Sequence, residues 1–268
     1  MFYLRRMDLQ KMTAEVNSLV TEVAAYIAEQ RKSFSNEAVS DKGVNQLVSY
    51  VDVEAEKKLV AGLSNLFPEA GFITEEETSD KGRADCNWII DPLDGTTNFI
   101  HNLPVYSVSV ALARHQEILI GVVYEIGRKE LFAAWQGGGA WCNGERIHMS
   151  HETELKKSLL ATGFPYYDYV HMDAYLDTLK HLMRSTHGLR RMGSAAVDLA
   201  YVASGRFEGF FEYGLHAWDV AAGILLVKEA GGKVSDFKGG NDFLFGDTII
   251  ASNQGLYQAL LDIIKERF

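Results

Sequence analysis

The sequence predicts an α/β (α+β) protein built of layered helices and sheets. Three observations carry that prediction: two amphipathic helical patterns near the N-terminus, a run of closely spaced strands after Asn98, and a final third in which strands and helices alternate. From Asp8 to Lys32 the apolar residues Leu9, Met12, Val16, Leu19, Val23 and Ile27 recur at steps of three and four, the spacing of one helical face. A second pattern, Val51, Ala55, Leu59, Leu63 and Leu66, ends before Pro68, and Ser49 with Asp52 reads as its capped start. Two short apolar runs follow, Gly71 to Thr74 and Trp88 to Ile90, and each runs straight into acid, Glu75-Glu76-Glu77 in one case and Asp91 in the other. That placement matters because open α/β sheets bind ligands beyond the carboxyl ends of their strands.

Tyr106 to Ala113, Ile118 to Tyr124 and Leu131 to Trp135 read as successive, mainly antiparallel strands, with tight turns at Gly137-Gly138-Gly139 and Asn143-Gly144. The last third reads as strand Leu159 to Thr162, helices Asp173 to Met183 and Ser194 to Ser204, strand Gly209 to Phe211, helix Trp218 to Ala230, strand Thr248 to Ala251 and a C-terminal helix. The 268 residues are expected to form a single unit, residues 1–150 an N-terminal α+β part and residues 151–268 a C-terminal α/β part.

Composition narrows the function. Hydrophobic residues make 47% and charged residues 23% of the chain, as in ordinary globular proteins. The net charge of -10 disfavours direct nucleic-acid binding and anionic membrane surfaces, which draw affinity from clustered Lys and Arg; an anionic ligand would need a metal to meet it. Cys86 and Cys142 have neither metal-site spacing nor the density of a disulfide scaffold, so both are expected to be reduced thiols in the cytoplasm. The N-terminus lacks the apolar core of a signal peptide, and no apolar run approaches the roughly 18 residues of a membrane span. The histidines show no paired zinc spacing, so His101, His187 and His216 read as packing or surface residues.

The densest chemical signal is Asp91-Pro92-Leu93-Asp94-Gly95-Thr96-Thr97-Asn98-Phe99. Pro92 should end the strand and turn the chain there, and Asp91 and Asp94 can then converge on a hard cation. Gly95 allows close backbone approach, and a helix opened by Thr96 and Thr97 would offer its unpaired N–H groups as a phosphate cradle. An Asp-Gly-Thr taken singly is a turn and a cap; the whole string after a buried strand argues for function.

With Phe72-Ile73-Thr74-Glu75-Glu76-Glu77 before it and Trp218-Asp219-Val220-Ala221-Ala222-Gly223 after it, this string resembles the inositol monophosphatase family, part of a wider lithium-sensitive, magnesium-dependent phosphatase superfamily. The likeness runs from Lys11 to Ile264. It implies a layered αβαβα sandwich of the sugar-phosphatase type, assembled as a homodimer, that hydrolyses inositol monophosphate or a similar small sugar or polyol phosphate. It also implies that Glu75, Asp91, the carbonyl of Leu93, Asp94 and Asp219 surround two or three Mg²⁺ ions, with Mn²⁺ as a substitute and Li⁺ as an inhibitor. In family terms Glu75 takes a proton from the attacking water, Thr96 orients that water, and Asp52 holds the threonine. Asp94, Gly95, Thr96, Gly193, Ser194, Ala195, Glu212 and Asp219 would contact the phosphate ester.

Several of these residues also have a plainer reading. Asp52 completes a capping box, Asp219 complements a helix dipole, Glu75 belongs to a solvated acidic run, Gly193-Ser194 caps a helix and Glu212 ends a strand. Two departures stand out: Gln46-Leu47-Val48-Ser49 where the family often has Asp-Leu-Val-Thr, and Thr74 where glycine is frequent. Related activities on the same core are a fructose-1,6-bisphosphatase, a histidinol-phosphatase or a 3'-phosphonucleotidase, although Thr97-Asn98 resembles the inositol branch. A different class is a partner of the transcription machinery, resembling the family's extragenic-suppressor branch.

Overall fold

The computed structural model of the chain describes residues 8–34, 39–43, 46–79, 82, 84–166 and 169–268. Helix α1, Leu9–Ser33, is capped by Asp8, whose Oδ1 accepts from the Lys11 N–H at 3.0 Å. A hairpin of β1 (Val39–Gly43) and β2 (Gln46–Ser49), which the sequence did not announce, leads into α2, Tyr50–Leu66. The Gln46-Leu47-Val48 departure falls in β2, and the side chains there lie outside the described residues.

A seven-stranded sheet follows in simple sequence order: β3 (Gly71–Thr74), β4 (Cys86–Asp94), β5 (Ser107–Arg114), β6 (Glu117–Glu125), β7 (Glu130–Trp135), β8 (Gly139–Cys142) and β9 (Glu145–Ile147). Only its first pair, β3 with β4, is parallel. The expected strand break at Pro92 does not occur. β4 runs on to Asp94, and its pairing with β5 jumps from Asp91 opposite Ser109 to Asp94 opposite Ser107. Proline cannot donate to a ladder, so it is accommodated where the ladder is interrupted by a bulge.

That bulge has a geometric result. In a regular strand Asp91 and Asp94, three residues apart, would point to opposite faces. Trp88 and Ile90 face one core and Ile89 the other, yet Leu93 lies with Trp88 and Ile90. The alternation has flipped between Asp91 and Leu93, and both carboxylates emerge on one side of the sheet.

The second sheet has five strands in the order β11-β10-β12-β14-β13: β10 (Leu159–Thr162), β11 (Gly188–Arg190), β12 (Gly209–Tyr213), β13 (Lys233–Ser235) and β14 (Thr248–Ser252). β10 is parallel to both neighbours, and β14 is antiparallel to both of its own. Among the described residues the further α-helices are α3 (Thr96–Ile100), α4 (Met172–Ser185), α5 (Ala195–Ala203), α6 (Ala217–Glu229) and α7 (Tyr257–Lys265).

Three apolar cores set the layering. Val16, Val20, Leu59 and Leu63 of α1 and α2 pack on Trp88, Ile90 and Val110 of the large sheet. On its other face Ile89, Ala111 and Phe132 pack on α5 and α6, which also meet Phe210, Ile249 and Ala251 of the small sheet. Phe211, Tyr213 and Ile250 face outward to Tyr175 of α4 and Leu260 and Ile264 of α7. The order is helix, sheet, helix, sheet, helix, the five-layered sandwich that the resemblance implied. Because the pleat alternates, Glu212 leaves β12 on the side of Phe210, into the middle layer.

Candidate active site

The ends of β3 and β4, the N-termini of α3, α5 and α6, and β12 converge on a pocket of about 770 Å³. Its walls include Glu75, Asp91, Leu93, Asp94, Gly95, Thr96, Gly193, Ser194, Ala195, Glu212 and Asp219. Asp52 is not on the wall; it touches the site through Thr96.

The bulge holds its own shape. The Leu93 N–H donates to Asp91 Oδ1 at 2.9 Å, and Asp91 shares a hydrogen bond with Glu75. Asp94 reaches across to α5, its Oδ2 accepting from the Ser194 hydroxyl and from the Ala196 N–H, both at 2.7 Å. Ser194 is also the cap of α5, accepting from the Val197 N–H at 3.3 Å. At α6, Asp219 Oδ2 accepts from the His216 N–H at 2.6 Å. One oxygen each from Asp91, Asp94 and Asp219 lies within 4.8 Å of the other two. Capping and convergence on the pocket are therefore combined in the same residues.

Asp52 shows the same economy of use. Its Oδ2 accepts from the Ser49 N–H and hydroxyl at 2.9 and 2.6 Å, which is the capping box, while its Oδ1 lies 3.0 Å from the Thr96 hydroxyl. Thr96 Oγ1 is also 3.0 Å from the Leu93 carbonyl, so its single proton is shared between two acceptors. The Glu75 loop is fixed from below by buried Glu56, whose carboxylate accepts from the Glu76 and Thr78 N–H groups, each at 2.8 Å. Glu75 is thus held at a loop anchored to α2 and is not part of a free acidic run.

Two glycines are set by close approach. Gly95, at φ +98, precedes α3, and a Cβ there would lie 3.1 Å from the Val105 carbonyl oxygen and 3.2 Å from that of Gly193. A Cβ on Gly163 would lie 1.8 Å from Glu212 Oε1, because the Glu212 carboxyl occupies the space over Gly163. Glu212 does not end a strand; β12 continues through it to Tyr213, and its side chain is aimed into the pocket. α3 has only five residues, so the expected cradle is a short turn of N–H groups with little helix dipole behind it.

Crowding these acids together raises their affinity for protons. Burial pushes Glu75 up to about 8, helped by the charges of Asp219, Glu76 and Asp52. Asp219 rises to about 7 through burial and the charge of Asp94. Burial also lifts Asp94, to about 6, although Ser194, Ala196 and Arg191 pull the other way. Asp91 is raised well above its ordinary value, chiefly by burial and then by Glu75. These groups are hard oxygen donors, and the donor set fits Mg²⁺.

A pH dependence follows. Between about pH 4 and pH 8 the folded, metal-free chain binds more protons at Glu75, Asp94 and Asp219 than the unfolded chain does, so its stability should fall as pH rises through that window. Thermal unfolding without metal should show a lower Tm at pH 8.5 than at pH 5, and Mg²⁺ should recover more at pH 8.5. A metal-free Tm that rose over this interval would contradict the crowding.

The pocket also contains residues the sequence did not nominate. His216 is exposed, stacks on Trp218 at 4.6 Å and lines the pocket, whereas His101 and His187 lie exposed elsewhere. Arg191 stands at the wall with its guanidinium 5.5 Å from the Phe164 ring and 5.2 Å from that of Tyr166. Asp198 lines the floor from α5. The signal for it was a lone acid in the otherwise apolar run Ala195-Ala196-Val197-Asp198-Leu199-Ala200.

The family model for the inositol monophosphatase family matches residues 8–267. An inositol-1-monophosphatase of Mesorhizobium japonicum is 44% identical over 232 residues, covering 86% of this chain and 87% of the relative. The Nus factor SuhB of Escherichia coli is 45% identical over 228 residues, 85% of each chain. The crystal structure of the extragenic suppressor protein SuhB from Bartonella henselae superposes with a TM-score of 0.88 at 39% identity, covering 94% of this chain and 97% of that one. The five-layered fold and its acidic pocket, read with these relatives, define a phosphoric monoester hydrolase. The chain belongs to the inositol monophosphatase family, which is magnesium-dependent. Among the described residues no helix is long and apolar enough to cross a membrane.

Proposed function

We propose that this chain hydrolyses inositol monophosphate or a similar small sugar or polyol phosphate, with Mg²⁺ held by Glu75, Asp91, the Leu93 carbonyl, Asp94 and Asp219. The observation that carries the reading is the gathering of Asp91, Asp94 and Asp219 within 4.8 Å in a pocket large enough for a monosaccharide-sized ester. Bound there, Mg²⁺ would supply Lewis-acid stabilisation of the phosphoryl group and a more acidic water.

The residues of the chain then have separate tasks. Glu75, hydrogen-bonded to Asp91, would accept the proton of the attacking water. Thr96 Oγ1 lies 3.0 Å from both Asp52 Oδ1 and the Leu93 carbonyl; if that carbonyl were to hold the cation, the Thr96 proton would go to Asp52 and the lone pairs of Oγ1 would be left to accept from that water and orient it. Asp94 keeps α5 docked through Ser194 and Ala196, which brings Gly193 and Ala195 to the substrate side of the pocket. Glu212 over Gly163 faces the organic part of the ester. Two or three ions, Mn²⁺ substitution, Li⁺ inhibition, a homodimer, a single-unit organisation and a cytoplasmic location are the family expectations that accompany this reading.

Phosphate release should be measured on a panel of inositol 1-phosphate, fructose 1,6-bisphosphate, histidinol phosphate and a 3'-phosphonucleotide, with and without Mg²⁺. Fastest turnover of inositol 1-phosphate, dependent on Mg²⁺, is expected; preference for another panel member would reassign the substrate. The relative named as a Nus factor favours a second reading, a partner role in transcription. If that role is independent of catalysis, capture of transcription proteins should survive Asp94→Asn while phosphate release does not.

A further inference from the structure

Asp198 stands on α5, a helix whose every residue is buried, and is itself 1% exposed. Its Oδ1 is buried without a hydrogen-bond partner among the described residues. A buried polar atom left unpaired is costly, and an apolar residue at this position of an Ala- and Val-rich helix would remove the cost. Asp198 is outside the group formed by Asp91, Asp94 and Asp219, so metal ligation does not explain it. It does line the pocket, as do Glu212 and Arg191, and lies close enough for both charges to act on its carboxyl. Burial and the neighbouring Glu212 and Asp94 carboxylates hold its proton well above the ordinary range, against the pull of Arg191. A carboxyl that keeps its proton can donate one hydrogen bond and accept others, which is what a sugar or polyol hydroxyl requires.

We propose that Asp198 is a specificity-determining residue, its carboxyl hydrogen-bonding a hydroxyl of the substrate's polyol part on the pocket floor beside Glu212. The inference rests on the reading of the pocket as a site for small polyol phosphates and extends it to a residue that would recognise the hydroxyl-bearing part.

The test compares Asp198→Ala and Asp198→Asn with the parent protein on inositol 1-phosphate and on p-nitrophenyl phosphate, whose organic part carries no hydroxyl. For Asp198→Ala, KM for inositol 1-phosphate should rise about 10-fold to 100-fold, while kcat/KM for p-nitrophenyl phosphate stays within about two-fold. Asp198→Asn, which keeps a donor and an acceptor, should restore most of the loss. The Tm of metal-free Asp198→Ala should equal or exceed that of the parent, because an unpaired buried carboxyl has been removed. An unchanged KM for inositol 1-phosphate, or equal losses on both substrates with a lowered Tm, overturns the assignment while leaving the phosphatase reading intact. A parent protein inactive on both esters in Mg²⁺ overturns both.

Discussion

Replacing Asp94 with asparagine should lower kcat/KM by about 1,000-fold or more at physiological Mg²⁺. Asp94 is the hinge of the site, with one carboxylate oxygen within 4.8 Å of carboxylate oxygens of Asp91 and Asp219, and Oδ2 bonded to Ser194 and Ala196. Asparagine keeps an oxygen to accept both hydrogen bonds, so the junction of β4 with α5 should survive and the loss should fall on cation binding. The half-saturating Mg²⁺ concentration should rise by about 10-fold or more. Removing this charge also removes the main charge that raises Asp219, whose pKa should fall in the variant. Phosphate release across a Mg²⁺ titration checks the first two outcomes, and near-parental activity at low Mg²⁺ would show that Asp94 holds no essential cation.

Glu75→Gln should reduce kcat by about 100-fold to 10,000-fold, the range for loss of a positioned proton acceptor. The loss should persist at saturating Mg²⁺, which separates it from weakened metal binding. The loop should keep its place, because Glu56 holds the Glu76 and Thr78 N–H groups and neither bond involves the Glu75 side chain. A general base must be deprotonated to act, so the parent rate should rise with pH through the pKa of the Glu75–Asp91 pair, and the variant should lose that acid limb. An unaltered pH profile would remove Glu75 from the proton transfer.

Much of the fold could be read from local pattern. The three- and four-residue spacing from Leu9 to Ile27 placed α1 to within a residue at either end, and Ser49 with Asp52 marked the start of α2. Long apolar periods report one buried face, and that information is local. The three-residue strands β11 and β13 were missed because so short a segment shows no alternation, and β1–β2 because its sequence has little apolar contrast. Pro92 misled in a particular way: its missing N–H signals an interruption of pairing, but whether the interruption is a turn or a bulge depends on β5 across the ladder.

The candidate site was legible where residue type and spacing are themselves chemical, as in Asp91, Asp94 and Thr96. Dual use was not. Asp52 and Asp219 each looked like either a cap or a site residue, and each serves its helix with one oxygen while the side chain reaches the site. Asp198 is a single acid inside an apolar helix and Glu56 one of the three acids of amphipathic α2, and only the packing of α5 beside Glu212, and of α2 beneath the Glu75 loop, shows where they point.

The most direct test is a crystal of the protein soaked in Mn²⁺, which shares the oxygen-rich octahedral preference of Mg²⁺ and gives an anomalous signal. The expected result is an anomalous peak bounded by Asp91, Asp94 and Asp219, with the Leu93 carbonyl or Glu75 completing its oxygen shell. A crystal saturated with Mn²⁺ that shows no peak there, or shows it at another acidic cluster, would contradict the proposed metal centre and the hydrolysis built on it.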